Sequence, residues 1–273
     1  MIVFPNAKIN IGLDIIARRN DGYHNIETLF YPIGWSDILE IVPAKGATST
    51  LTITGRGVNC PPEKNLVMKA YNAINEAIPI PPVDIYLHKT IPDGAGLGGG
   101  SSDAAFTLIV LNKLFSLALT DDDLARIAAG IGADCPFFIY NKPMFASGIG
   151  TTFERSNVSL ADTDILIVKP PVSIPTAKAY AGVTPQRPET PLKDALSQPC
   201  ECWKNMVKND FEPSIFADNP TLARIKQQLM DIGAYYAAMS GSGSSIYGLF
   251  KSDILSDQNK KLFGECDTFI GRL

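Results

Sequence analysis

A run of small residues, Pro92-Asp93-Gly94-Ala95-Gly96-Leu97-Gly98-Gly99-Gly100-Ser101-Ser102-Asp103-Ala104-Ala105, holds the strongest chemical signal in the chain. Five glycines within seven positions let the backbone fold tightly and turn several N–H groups toward one point. A helix is expected from Ser101, and its unpaired amides and positive dipole end add to the same spot. The sum is an anion site, and a nucleotide phosphate is its natural occupant. The competing reading, a flexible surface loop, fits poorly with the strong strand and helix patterns on either side.

Phosphate-binding loops differ in what else they require. Gly94-x-Gly-x-x-Gly99 formally satisfies the dinucleotide fingerprint, but that motif needs an acidic residue closing the next strand roughly 20 residues on. The acids at that distance are Asp121, Asp122 and Asp123, which open a helix instead. A Walker loop needs Lys where Gly100 stands, and the protein-kinase set needs H-R-D and D-F-G elements that the chain lacks. What remains is a loop that holds phosphate by backbone amides and serine hydroxyls, with a lysine brought from another element.

The surrounding elements must do the positioning. Residues 7–13 alternate Ile9, Ile11 and Leu13 with Lys8, Asn10 and Gly12, a strand period that puts Lys8 and Asn10 together opposite the apolar face. Further strands are expected over 38–42, 51–54 and 83–88. Leu66, Ala70, Ala73, Ile74, Ala77 and Ile78 recur at helical spacing, with Asn65 where the cap belongs. The helix over 101–115 is apolar nearly all round and is expected at the centre of the fold. Thr120 with its three following aspartates opens the next helix, which is expected to stop at Gly132.

Past Thr152 the character changes: a strand over 165–168, a Pro-rich stretch, and a polar region over 186–198 that reads as a boundary or an excursion. A helix (222–232), a strand (235–239), a Gly/Ser loop, a strand (246–250), a short helix and a last strand near Phe269 complete the pattern. Strands and helices mix without strict alternation, so the fold class is α+β.

Composition excludes several functions. A chain of 273 residues suits one large domain or two modest ones. A formal charge of −4 with no Lys/Arg run argues against a nucleic-acid partner. Five cysteines (Cys60, Cys135, Cys200, Cys202, Cys266) and two histidines (His24, His88) lack metal-site spacing and read as reduced thiols in a cytoplasm. The N-terminus has no basic n-region, and no apolar stretch approaches ~20 residues, so neither a signal peptide nor a membrane span is expected.

Three blocks then line up: Pro5-Asn6-Ala7-Lys8-Ile9-Asn10-Ile11-Gly12-Leu13, the glycine loop, and Met239-Ser240-Gly241-Ser242-Gly243-Ser244-Ser245. In this order and spacing they resemble the three motifs of the GHMP kinases. Asp21-Gly22-Tyr23-His24, the long form Gly-Leu-Gly-Gly-Gly-Ser-Ser, Gly132-Ala133-Asp134-Cys135-Pro136 and Pro171-Val172-Ser173-Ile174-Pro175-Thr176 narrow the likeness. They point to the members that act on a cytidine diphosphate-linked methylerythritol. The likeness spans almost the whole chain and is weakest over 184–217.

The resemblance implies a two-domain α+β GHMP kinase fold, with an ATP-binding domain (1–152), a C-terminal domain (153–273) and the active site in the cleft between them. It implies transfer of the ATP terminal phosphate to the substrate's 2-hydroxyl, in the non-mevalonate route to isopentenyl diphosphate. The alternatives are another GHMP kinase acting on homoserine, mevalonate or a sugar, and, from a different class, a dinucleotide-dependent oxidoreductase. The implied partners are a small-molecule substrate, with no nucleic acid and no membrane, and the chain acts as a monomer or homodimer.

Individual roles follow from the same resemblance. Asp134 is the general base; from residues alone it reads as a turn aspartate at a helix end. Lys8, by default an exposed strand lysine, pairs with that aspartate, and Asn10 orients the acceptor. Tyr23 stacks on cytosine and His24 bonds its pairing edge, although Asp21–His24 also reads as a plain hairpin turn. Tyr180 covers the other face of the base, and Thr176 joins the same pocket. ATP is held by Pro92, Asp93, Gly94, Ala95, Gly96, Leu97, Gly98, Gly99, Gly100, Ser101 and Ser102, with Asn65 and Lys89 near the adenine. The plainer readings of those last two are a helix cap and a strand-end lysine. Ser101 and Ser102 touch phosphate or Mg²⁺, which arrives as the ATP complex; its protein ligands are unassigned. Residues 240–245 either touch substrate or simply connect two strands.

Overall fold

The computed structural model describes residues 1–58, 60–251 and 255–273. Its strands are β1 (Ile2–Val3), β2 (Asn6–Arg18), β3 (His24–Ser36), β4 (Ile38–Pro43), β5 (Thr50–Gly55), β6 (Val83–Lys89), β7 (Met144–Ser147), β8 (Thr152–Arg155), β9 (Thr163–Lys169), β10 (Tyr236–Met239), β11 (Ile246–Lys251) and β12 (Asp267–Arg272). Its helices are α1 (Leu66–Ala77), α2 (Gly99–Leu114), α3 (Asp121–Ala129), α4 (Cys135–Tyr140), α5 (Thr176–Ala181), α6 (Leu192–Leu196), α7 (Trp203–Met206), α8 (Glu212–Asp218), α9 (Pro220–Asp231) and α10 (Asp257–Lys261). The chain forms two compact units, each gathered from several segments.

The first unit comprises Met1–Ala7, Trp35–Asp93 and Gly98–Lys142. Its sheet runs β1-β4-β6-β5, antiparallel except for the parallel pair β5/β6. Side chains alternate across the pleat: Leu39, Ile41, Val83, Ile85 and Leu87 are buried, whereas Ile38, Tyr86 and His88 face solvent. Helix α1 buries Val67, Ala70, Tyr71 and Ile74, and Asn65 caps it by accepting the Val67 N–H at 2.9 Å. Helix α2 buries Ser102, Asp103 and Thr107 along with its aliphatic residues, the all-round burial that its composition requires.

Thr120 and Asp123 close a reciprocal capping box on α3. That helix ends at Ala129 with Gly130 as its cap, earlier than the expected stop at Gly132. Gly132 still belongs to the ending, because its N–H donates to the Ala128 carbonyl at 3.2 Å. The short helix α4, absent from the sequence reading, starts right after Asp134 with Pro136 in its first turn.

The second unit comprises Lys8–Gly34, Gly94–Leu97 and Pro143–Leu273. An antiparallel sheet, β10-β11-β9-β12, packs on α8 and α9 through Leu166, Val168, Met239, Phe250, Ile215, Leu222, Ile225 and Leu229. Every residue of β9 is buried. A second sheet runs β2-β3-β7-β8.

Two expectations are corrected here. Strand β2 is buried on both faces, so Lys8 (3% exposed) and Asn10 (2%) are interior groups rather than surface ones. Interior polar groups persist only where partners satisfy them, and Asn10 Nδ2 donates to Thr28 Oγ1 at 3.0 Å. The polar stretch 186–198 is no loose boundary: Gln186 N–H donates to the Ile15 carbonyl at 2.9 Å, and α6 buries Leu192, Ala195 and Leu196. The long strand β3 was missed because Pro32 and Gly34 interrupt its pattern.

Candidate active site

In the second unit, the site is built around one carbonyl. Gly96 sits at φ +75°, and a Cβ there would lie 2.1 Å from the Ser240 carbonyl oxygen, so only glycine permits the approach. Ser240 Oγ donates to the Gly96 carbonyl at 2.8 Å and accepts the Asn10 N–H at 3.2 Å. Lys8 Nζ donates to the same Gly96 carbonyl at 3.1 Å and to Asn10 Oδ1 at 2.6 Å, and lies 5.0 Å from the Phe30 ring centroid. The Lys8 N–H donates to the Leu97 carbonyl at 2.9 Å, and the Ser245 N–H to that of Ala95 at 3.2 Å. Residues 94–97 are thus held between β2 and the third glycine block.

That block joins β10 to β11 and packs inward as it does so. Ser240, Ser244 and Ser245 are fully buried and face the protein; Ser242 is half-buried, its Oγ 3.3 Å from Thr176 Oγ1 at the start of α5. Four residues further along α5, the Tyr180 ring stacks on His24 with centroids 4.8 Å apart and planes 21° from parallel. Phe211 meets Tyr180 edge-on at 4.9 Å. Tyr23 is 62% exposed, one residue after Gly22, whose φ of +85° closes the turn between β2 and β3. The structure therefore brings His24 and Tyr180 together, but gives Tyr180 a contact the sequence did not suggest: it backs the imidazole.

In the first unit, the remainder of the loop opens α2. Gly98 caps the helix in the left-handed conformation. Beneath the first turn lies Lys89, whose ammonium pairs with Asp37 and, at 2.7 Å, with Asp103 Oδ2. A Cβ on Gly99 would come within 3.4 Å of that ammonium. Asp37 Oδ1 also accepts the Thr90 and Ile91 N–H groups at 2.6 and 2.8 Å. Burial alone would lower the Lys89 pKa, but Asp103 and Asp37 outweigh it and hold the ammonium charged. Burial is also the main cause that pushes Asp103 up, to about 7, with Lys89 opposing and Asp37 adding to the rise. Lys89 ends β6, as the plain strand-end reading has it, but as an interior, doubly paired cation. Ser102 Oγ and Asp103 Oδ1 are buried without a hydrogen-bond partner from the protein, as are Tyr236 Oη and Ser245 Oγ.

Asp134 precedes α4 half-buried, and its side chain makes no capping bond to that helix. Its neighbour Cys135 hydrogen-bonds Ser101, so within this unit the aspartate stands beside the start of α2. Burial, partly countered by that serine bond, pushes the Cys135 thiol up to about 11. A thiol held so far above neutrality is not a nucleophile. Sequence reasoning missed Asp37 and Asp103; an aspartate inside the apolar stretch of α2 was the available signal for a buried partner. It also missed Asn209 and Glu212.

All five cysteines are free thiols. Among the described residues no helix is long and apolar enough to cross a membrane. Among them, too, no group of three or more His, Cys, Asp or Glu side chains could hold a metal ion.

The chain matches the GHMP kinases N terminal domain over residues 65–142 and the GHMP kinases C terminal domain over 193–260. A 4-diphosphocytidyl-2-C-methyl-D-erythritol kinase of Parabacteroides distasonis is 51% identical over 273 residues, all of both chains. A crystal structure of a 4-(cytidine 5'-diphospho)-2C-methyl-D-erythritol kinase superposes with a TM-score of 0.85 at 31% identity, covering 99% of this chain and 98% of that one. A homoserine kinase from Cytophaga hutchinsonii shares the fold at a TM-score of 0.72, with 20% identity over 98% of this chain and 94% of its own. Fold and site together define the class as GHMP kinases. Within it, the chain belongs to the family of the 4-diphosphocytidyl-2-C-methyl-D-erythritol kinases.

Proposed function

We propose that this chain transfers the terminal phosphoryl group of ATP to the 2-hydroxyl of 4-diphosphocytidyl-2-C-methyl-D-erythritol, giving ADP and the 2-phosphate, in the cytoplasm. The observation that carries the reading is identity of 51% over the full length of both chains with a kinase of that name. Homoserine kinase, at 20%, shares the architecture alone. The dinucleotide alternative has no support in either domain match.

In this reading the amides of 92–102 and the N-terminal end of α2 receive the phosphates. The orphaned Ser102 hydroxyl fits a phosphate or Mg²⁺-linked oxygen. Asn65 and Lys89 bear on the nucleotide, Lys89 from beneath Gly99. Mg²⁺ comes with ATP and keeps most of its coordination from phosphate and water. Phosphoryl transfer rests on positioning and charge stabilisation. Asp134 takes the hydroxyl proton, Lys8 holds that carboxylate ionised, and Asn10 orients the acceptor. His24, Tyr23, Tyr180 and Thr176 select the cytidine. The test is ATP consumption with the cytidine substrate, homoserine and mevalonate in parallel, using the native chain and Asp134→Asn. Turnover with homoserine or mevalonate but not the cytidine compound would overturn the assignment.

A further inference from the structure

The segment Asn209-Asp210-Phe211-Glu212 has no part in the roles above, yet its polar atoms converge on the site. Asn209 is 2% exposed, and its Nδ2 donates to the Met239 and Gly241 carbonyls, each at 2.8 Å. Its Oδ1 accepts the Phe211 N–H at 2.9 Å, so one carboxamide spans both carbonyls that flank Ser240. Glu212 adds a third tie: Oε1 accepts the Met239 N–H at 2.8 Å, while Oε2 takes Lys226 Nζ at 2.6 Å.

On its other side the segment is fastened to β2. The Asp210 N–H donates to the Leu13 carbonyl at 2.9 Å, and Asp210 Oδ2 accepts the Ile15 N–H at 2.8 Å. A parallel bridge joins Leu13 to Asn209. Strand β2 carries Lys8 and Asn10, and residues 239–241 carry Ser240. The backbone after Met239 leaves the sheet through Gly241 at φ +56° and Gly243 at φ +83°, where the Ser240 N–H donates to the Ser245 carbonyl and the Gly243 N–H to that of Ser240, each at 2.9 Å. Ordering such glycine-rich backbone costs conformational entropy, which the backbone bonds and the side-chain ties offset together.

We propose that Asn209 is a positioning residue for phosphoryl transfer: its carboxamide fixes the carbonyls on either side of Ser240, and Ser240 in turn sets the Gly96 carbonyl that receives the Lys8 ammonium. The proposal rests on the catalytic reading of Lys8 given above. Asn209→Asp keeps the shape and the acceptor but removes both donors and turns a carboxylate toward two carbonyls. Both carbonyls lose their buried donor and shift, so kcat falls roughly 10- to 100-fold while KM for ATP stays within about two-fold.

Ser240→Ala removes the next link. If the two act in series, the double variant is no slower than the slower single one; independent effects would multiply. Leu222→Ala, in the α9 core, is the control that lowers Tm and leaves kcat unchanged below it. A kcat for Asn209→Asp at the native level, or multiplying effects in the double variant, overturns the proposal. Amide hydrogen exchange tests the relay without any substrate. In Asn209→Asp, exchange rises in both 240–245 and 94–97 but not in β9; a rise confined to 240–245 refutes the link to Gly96. A native chain that turns over no cytidine substrate would instead sink the functional reading, with the exchange result still deciding the relay.

Discussion

Ser240 Oγ donates to the Gly96 carbonyl at 2.8 Å, tying the third glycine block to the phosphate loop. Lys8 approaches the same oxygen from β2 at 3.1 Å. A carbonyl with two lone pairs can accept both bonds. One atom thereby registers the cation, the loop and the serine, so any shift of Gly96 displaces all of them.

Gly96→Ala tests that registration. Its Cβ would lie 2.1 Å from backbone at Ser240, and φ +75° adds the left-handed penalty of ~1 kcal/mol. Gly94→Ala carries the φ penalty alone, since its nearest neighbour is Ser173 Oγ at 3.8 Å. We expect Gly96→Ala to lose most ATP affinity and turnover, and Gly94→Ala to keep the larger part of both. Calorimetric titration with ATP compares them; equal losses would show that backbone conformation, not the contact, is what matters.

Lys8→Met and Asp134→Asn test the proposed catalytic roles of the two residues. Each is expected to cut turnover ~10²–10⁴-fold with the circular dichroism spectrum preserved. They should differ in stability. Lys8 is buried, and its removal takes the donor from Asn10 Oδ1 and leaves the Gly96 carbonyl with its Ser240 bond, so Tm falls by several degrees. Asn at 134 keeps the size of the side chain and one carbonyl acceptor, so Asp134→Asn should lose less Tm than Lys8→Met. Native turnover in either variant removes that residue from the mechanism.

Local signals were legible and long-range ones were not. Asn65 and Thr120 announce their helices because a cap depends on residues two or three positions away. The glycine run announces the start of α2 for the same reason. The site's charges are different: Lys89 meets Asp37 across the β4/β6 pairing and Asp103 from α2, and no spacing in the sequence encodes that meeting. Lys8 misleads because alternation reports which side a residue points to, not whether that side is covered. His24 and Tyr180 come from separate segments, and family likeness alone named them together.

His24→Ala is expected to raise KM for the cytidine substrate by roughly 5- to 100-fold, the span of ~1–3 kcal/mol for a base contact, with kcat less affected. Because Tyr180 stacks on His24, Tyr180→Leu should raise KM in the same direction, and the two losses should be less than additive. Steady-state kinetics at saturating ATP measures both. An unchanged KM in His24→Ala refutes the cytidine assignment.

The buried charges around Lys89 give stability a pH dependence of definite sign. Asp103 is raised from 3.8 to about 7, chiefly by burial, so between those values the native chain binds a proton that the unfolded chain has released. Stability attributable to Asp103 therefore falls as pH rises toward and through 7. Asp14, raised by burial and by Asp210 to about 6, acts with the same sign and still titrates at the lower end of pH 6–8, so Asp103 is read from the difference between the native chain and a variant that keeps Asp14. Over that range a single group of pKa about 7 contributes about 1 kcal/mol, or ~2–4 °C in Tm for a chain of this size. Asp103→Asn cannot titrate, so its Tm should fall less steeply from pH 6 to 8 than that of the native chain. Parallel slopes would mean that Asp103 stays ionised throughout, held by Lys89.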